Sequence, residues 1–270
     1  MTAETRSPHF QLDATARTYR DIHLPRVFTP WATVLLEIVP PKPGETVLDV
    51  ATGPGTVARQ AAVVVGTAGK VVGVDISSAM LGVARAWPPD DRAAAIEYIQ
   101  APATSMPLAD AAFDVAYCQQ GLQHMGDPLA ALREMRRLLK PGGRLGVATW
   151  QQSPFGIFRE TVASMGVGDG GPQPSNFGRD AEGLAEALRE AGFEVVEVQT
   201  REMVSVLEGG IPQALEVAVA TSGAAAMKSL PADEAAAVRA AIAAALQPRL
   251  RDGAVHLLSI SNIGSGRRPA

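Results

Sequence analysis

The chain has 270 residues, 47% of them apolar, and its 24 basic and 28 acidic side chains leave a formal charge of -4. That length suits one large α/β domain, or a domain with a cap, and it buries enough surface to fold without a disulfide or metal staple. One cysteine, Cys118, excludes an internal disulfide framework and a cysteine-based zinc site, and the four histidines (His9, His23, His124, His256) lack metal-ligand spacing. The acidic balance leaves no electrostatic footprint for nucleic acid. The polar start, with Glu4, Arg6 and Asp13, is unlike a signal peptide, and no apolar run approaches the ~18 residues that span a bilayer. The expectation is a cytoplasmic protein with no metal, no membrane span and no nucleic-acid partner.

Residues 1–45 read as a helical preamble, interrupted by Pro25 and Pro30 and stopped by the Pro40-Pro41-Lys42-Pro43-Gly44 breaker. Thr46 to Val50 is then a short apolar run of the kind buried in a parallel sheet. A glycine-rich turn leads into a helix over 56–65, a second strand over 70–75, and a second helix over 77–86 capped by Ser77 or Ser78. Strands follow at 96–100 and 113–118. Asp127-Pro128 opens the next helix with a favoured cap and first-turn proline, and Pro141-Gly142-Gly143 ends it. A fifth strand covers 144–150, a helix 181–191, and β segments 193–206 and 254–263, with alanine-rich helices at 211–250 between the last two. This alternation predicts an α/β fold with a doubly wound, mostly parallel sheet of seven strands and ligands at the strands' carboxyl ends. The chain divides into an N-terminal helical lid (1–45), a core (46–207 and 251–265) and a helical cap (208–250) inserted in the last β-hairpin.

The strongest chemical signal is Asp49-Val50-Ala51-Thr52-Gly53-Pro54-Gly55, between a strand and a helix. Glycines at 53 and 55 permit positive φ and close approach of a ligand, or they serve a structural turn. Asp75 ends the second strand twenty residues beyond Gly55, the offset at which a carboxylate takes ribose hydroxyls; the plainer alternative is a helix cap. Together they indicate an adenosine. Asp49 would repel a pyrophosphate but favours an ammonium, and no lysine or arginine precedes Arg59 in 49–58, which points to S-adenosylmethionine over a dinucleotide. Asp49 as a clip for its own turn is the competing view.

On these residues, with Val72-Gly73-Val74-Asp75-Ile76-Ser77, Phe113-Asp114-Val115, Gln119-Gln120-Gly121-Leu122-Gln123 and Leu138-Leu139-Lys140-Pro141-Gly142-Gly143-Arg144-Leu145, the chain resembles the class I S-adenosylmethionine-dependent methyltransferases. The resemblance is to the broad group that includes the menaquinone and ubiquinone C-methyltransferases, and it covers about residues 45–150. It implies a Rossmann-like methyltransferase fold. It also implies a cofactor site of Asp49, Ala51, Thr52, Gly53 and Gly55 around the methionine end, Asp75 on the ribose, Ile76 on the adenine, Gln119 under the sulfonium, and Tyr19 closing over the ligand. Pro102 and Ala103 stand where similar enzymes carry an Asp-Ala pair that reads the adenine, so a side-chain acceptor is missing there.

For the acceptor, His124 reads either as a general base or as a histidine without a catalytic task. Phe28, Trp31, Met125, Trp150, Phe155 and Phe158 are candidates for a substrate pocket, with core packing as the alternative for the rings. Leu215 and Met227 in the cap are further apolar candidates. The expected function is methyl transfer to a small, fairly apolar molecule. The alternatives are a cyclase or cofactor-binding module of the same fold and, less favoured, a nicotinamide oxidoreductase. The preamble and cap helices serve either as a cover for the site or as a homodimer interface.

Overall fold

The apolar runs of the first half lie side by side in parallel, because helices cover both faces of the sheet they form. A computed structural model describes residues 25–88, 90–167, 174–220 and 230–270. Its strands β1 (Thr46–Val50), β2 (Lys70–Asp75), β3 (Ala95–Gln100), β4 (Phe113–Gln119) and β5 (Leu139–Gln152) pair in parallel, in the order β3-β2-β1-β4-β5. The order reverses between β1 and β4, which opens a crevice at their carboxyl ends. β6 (Glu194–Leu207) and β8 (Ala254–Arg267) complete the sheet, β8 running antiparallel between β5 and β6. A two-residue strand, β7 (Leu250–Arg251), adds an eighth member by pairing with the start of β8. Asp252 and Gly253 join the two with φ of 51° and 81°, the positive values of a tight Asp-Gly hairpin.

The first helix of the described residues, α1 (Thr29–Ile38), has Pro30 in its first turn, where a missing N–H breaks no helical bond. Pro30 therefore starts this helix and does not interrupt it. Trp31, Ala32 and Leu35 are fully buried, packed with α2 (Thr56–Val65) on one face of the sheet, so 29–38 is core and not a detachable cover. Tyr19 and Met227 lie outside the described residues. α3 (Ser78–Arg85) is capped by the Ser77 hydroxyl, which accepts from Met80 N at 3.2 Å. α4 (Pro128–Leu138) is capped by Asp127, which accepts from Ala130 N at 2.8 Å. With α6 (Ala181–Glu190), α4 fills the opposite face.

A third cluster joins α5 (Gly156–Ser164), α7 (Gly210–Ala220) and α8 (Ala232–Leu246) through Phe158, Val162, Val217, Val238, Ile242 and Leu246. Each fully buried aliphatic side chain there contributes roughly 1.5–3 kcal/mol. α5 is absent from the sequence-based expectation, although Phe155, Phe158 and Val162 recur at helical spacing. Gly210, at the start of α7, has φ of 64°, and a Cβ there would stand 2.6 Å from the Gly253 carbonyl oxygen. The two ends of the insertion between β6 and β8 therefore abut.

Candidate functional site

Ala51 directly follows β1 and Gln120 directly follows β4, and both hold left-handed backbone, at φ of 55° and 56°. Side-chain-bearing residues avoid that region, and two such residues at neighbouring strand ends place strain on the crevice. The two glycines of the turn do different things. Gly53 (φ 54°) has nothing within 4 Å of where a Cβ would stand, so its open side is free for close approach. Gly55 (φ 81°) caps α2, and a Cβ there would collide with the Tyr98 hydroxyl. Tyr98 in turn hydrogen-bonds Arg59, whose guanidinium also donates to the Pro54 carbonyl and sits 4.3 Å over the Trp87 ring. Tyr98, Arg59 and Trp87 support the turn from behind, and the local motif gives no sign of them.

The Asp75 carboxylate joins the two halves of the motif. One oxygen accepts from Gly53 N at 2.8 Å and the other from Ser77 N at 2.8 Å. Burial raises its pKa, and these donors partly offset the rise. The Ile76 N–H donates to the same carboxylate, so of its four lone pairs one is left for a ligand hydroxyl. Beside it Ile76 is 39% exposed, a large apolar side chain left open next to an acid. Ala101 N donates to the Asp75 carbonyl at 3.2 Å, which brings the partly exposed Pro102 and Ala103 alongside. Asp49, only 1% exposed, accepts from the Thr52 hydroxyl at 2.6 Å and from Ala58 N at 3.0 Å. It does clip its own turn, and Thr52's hydroxyl is committed to that clip. Burial lifts the Asp49 carboxyl to about 7, with Asp75 adding to the rise.

The other side of the crevice departs from expectation in three places. Gln119 donates its amide to the Phe28 carbonyl at 2.9 Å, so this side chain ties the N-terminal segment to β4. Trp31 is sealed in the core with its indole N–H on Ser259 Oγ at 3.1 Å, and Phe158 is 2% exposed in the third cluster. Both are packed inside the protein and present no surface to a ligand. The rings nevertheless form one continuous group. Trp31 meets Trp150 edge-on at 5.7 Å, Phe28 lies 6.4 Å from Trp150 and 6.3 Å from Phe155, and Phe155 lies 6.5 Å from Phe158. Leu215 is partly buried against the third cluster, and Met125 against the core beside Gly121.

His124 ends a single 3-10 turn (Leu122–His124) and is exposed to solvent. It is nonetheless crowded by protein, and that desolvation, with the Arg159 guanidinium, lowers its pKa to about 4. The imidazole is therefore neutral at pH 7, but a weak base. Burial pushes the Cys118 thiol up to about 12, which leaves it unreactive. Among the described residues no group of three or more His, Cys, Asp or Glu could hold a metal, and no helix is long and apolar enough to cross a membrane.

Residues 48–147 match the family described as Methyltransferase domain. The demethylmenaquinone methyltransferase of Renibacterium salmoninarum is 40% identical over 130 residues, 48% of this chain and 51% of that protein. The chain thus spans about half the length of the curated relatives it matches. Phosphoethanolamine N-methyltransferase 2 of Haemonchus contortus, solved with S-adenosylhomocysteine, superposes with a TM-score of 0.59 at 20% identity, over 96% of this chain and 58% of that one. The [4+2]-cyclase SpnF superposes with a TM-score of 0.53 at 25% identity, over 90% of this chain and 81% of that one. Residues 48–147 of the chain are thus similar to a methyltransferase domain.

Proposed function

We infer that the protein moves a methyl group from S-adenosylmethionine to a small, fairly apolar acceptor. The observation that carries this is the joint of Asp75 to Gly53 beside an open Cβ direction at Gly53 and an exposed Ile76: a carboxylate, a bare backbone and an apolar platform on one rim. Those residues fit a nucleoside, with Asp75 on the ribose and Ile76 against the base. The buried Asp49 fits the ammonium end, and the Arg59 guanidinium beside the turn is engaged by the Pro54 carbonyl and Tyr98. Pro102 and Ala103 offer the base no side-chain hydrogen bond, so the Ala103 N–H is the remaining polar group for it there.

S-adenosylmethionine supplies an already activated methyl group, which leaves the protein the work of positioning and water exclusion. Phe28, Trp150 and Phe155 give the acceptor an apolar wall, while the 208–250 insertion covers it. His124, neutral at pH 7, can take a proton from an acceptor hydroxyl, but a group with a pKa near 4 adds little driving force. Proximity therefore dominates over base catalysis in this reading. A homodimer remains the competing use of the outer helices.

Calorimetric titration with S-adenosylhomocysteine tests the cofactor assignment. Asp75→Ala removes charge-assisted hydrogen bonds worth roughly 1.5–3 kcal/mol, so affinity should fall about ten- to a hundredfold. Unchanged affinity overturns the ribose assignment. Labelled-methyl transfer across apolar acceptors then separates a transferase from a cyclase of the same fold, since a cyclase would bind the cofactor and release no labelled product. SpnF is the observation that keeps that second reading in view.

A further inference from the structure

Gln120 combines two irregular features. Its backbone is left-handed, and its side-chain oxygen Oε1 is buried with no hydrogen-bond partner among the described residues. The orientation of this amide follows from its neighbour. Ser261 Oγ donates its one proton to the Thr149 carbonyl at 2.9 Å, so toward Gln120, 3.0 Å away, it can only accept. The amide must present Nε2 to Ser261, which leaves the oxygen, an acceptor, as the orphan. A buried acceptor without a donor is unfavourable, and native proteins retain few of them.

Its partner Ser261 lies on the sheet face that carries part of the aromatic group. Ser261 faces Trp150 across the β5–β8 ladder, and cross-strand partners share a face. Ser259, two residues along on that same face, holds the Trp31 indole. The residue before, Gln119, holds the Phe28 carbonyl. Through Ser261, Gln120 is thus tied to the sheet face that carries Trp150 and the Ser259 partner of Trp31.

Resting on the acceptor site proposed above, we propose that Gln120 is a specificity-determining residue: its Oε1 accepts a hydrogen bond from a hydroxyl on the acceptor molecule. Acceptors are then selected for a donor group carried on an apolar body. The oxygen is closed to bulk water, so the donor reaches it from the aromatic side of the sheet, between the rings. A site that holds a hydrogen-bond partner in wait discriminates strongly against analogues lacking the group, because those leave the buried atom unpaired.

Equilibrium dialysis of the full chain with 2-naphthol, naphthalene and 2-methoxynaphthalene tests this. The methyl ether keeps the shape and the ether oxygen but removes the donor. The wild-type chain should prefer 2-naphthol over both others by about tenfold. Gln120→Met, close in volume and no worse suited to the left-handed backbone, should bring the three to parity. Absence of a preference in the wild-type chain, or its survival in Gln120→Met, overturns the proposal. Should Gln120→Met fail to fold, Gln120→Glu, which keeps an acceptor oxygen of the same reach, should retain the preference and Gln120→Leu should lose it; the reverse overturns the proposal. S-adenosylhomocysteine titrated in parallel keeps the two readings apart: its failure to bind would sink methyl transfer, and a lost naphthol preference would sink only the role of Gln120.

Discussion

At the β1–β2 end of the crevice, polar groups find partners close by in the chain. Asp49 bonds residues three and nine positions away, and Asp75 bonds residues two and twenty-two away. At the β5–β8 end the separations are of another order: Trp31 to Ser259 spans 228 positions, Ser205 to the Arg26 carbonyl 179, and Gln120 to Ser261 141. The first end is a turn that its own segment can shape. The second exists only when the last strand has been laid between β5 and β6. The cofactor end and the acceptor end should therefore respond independently to substitution, and three experiments bear on that.

The largest effect is expected from Gly53→Val. The added Cβ meets no protein atom within 4 Å, but the side chain enters the open side of the turn and strains the backbone by about 1–3 kcal/mol. Binding of S-adenosylhomocysteine should drop at least on the order of a hundredfold by calorimetry. Circular dichroism and naphthol binding should be unchanged. A normal thermal shift with cofactor would reduce the turn to a structural role, and a loss of naphthol binding would show that the two ends are coupled.

The next effect is on pH. With the Asp49 carboxyl near 7 in the free protein, an ammonium placed beside it favours ionisation, so binding releases a proton below pH 7. Cofactor affinity should climb on the order of tenfold from pH 6 to pH 8. The release is read from calorimetry in buffers of different ionisation enthalpy at pH 6.5. The sign for stability is the reverse. A carboxyl raised above its unfolded value stabilises the ligand-free fold below about pH 4, and that contribution is lost as pH rises through about 7. Affinity that does not vary with pH would leave Asp49 as a clip alone.

The smallest effect should come from Trp31→Phe. It removes the indole N–H from Ser259, whose own hydroxyl still donates to the Met203 carbonyl at 3.0 Å. Urea unfolding should show a loss of about 1 kcal/mol. Cofactor affinity should stay within about twofold, roughly 0.4 kcal/mol. A larger change would mean that α1 transmits to the glycine turn.

What the sequence discloses follows the same division. The strand, glycine turn and helix of 46–65, the acid at 75 and the Asp127-Pro128 helix start are local signals, and the structure holds each where the spacing puts it. Asp49 was readable as two things, an ammonium partner or a clip, and the hydrogen bonds show the clip without removing the charge from the site. Tyr98 behind Gly55 was not readable, because it reaches the turn from a strand two positions across the sheet. Nor was the Ser261 partner of Gln120, since no local pattern marks a serine in a strand as the anchor of a side chain 141 positions earlier. The rings of Phe28, Trp31, Trp150, Phe155 and Phe158 lie together, but no local spacing discloses their depth, because burial of Trp31 depends on which face α1 turns inward.

The contact between Gly210 and Gly253 bears on how such a chain can diversify. Because the start of α7 rests on the Asp252-Gly253 turn, the intervening forty-odd residues leave the sheet and return at nearly one point. Closing such a loop costs only about 0.6 kcal/mol more for each doubling of its length. The segment can therefore be lengthened, shortened or exchanged as a cassette while β6 and β8 keep their register, so the surface it builds is free to change without disturbing the sheet.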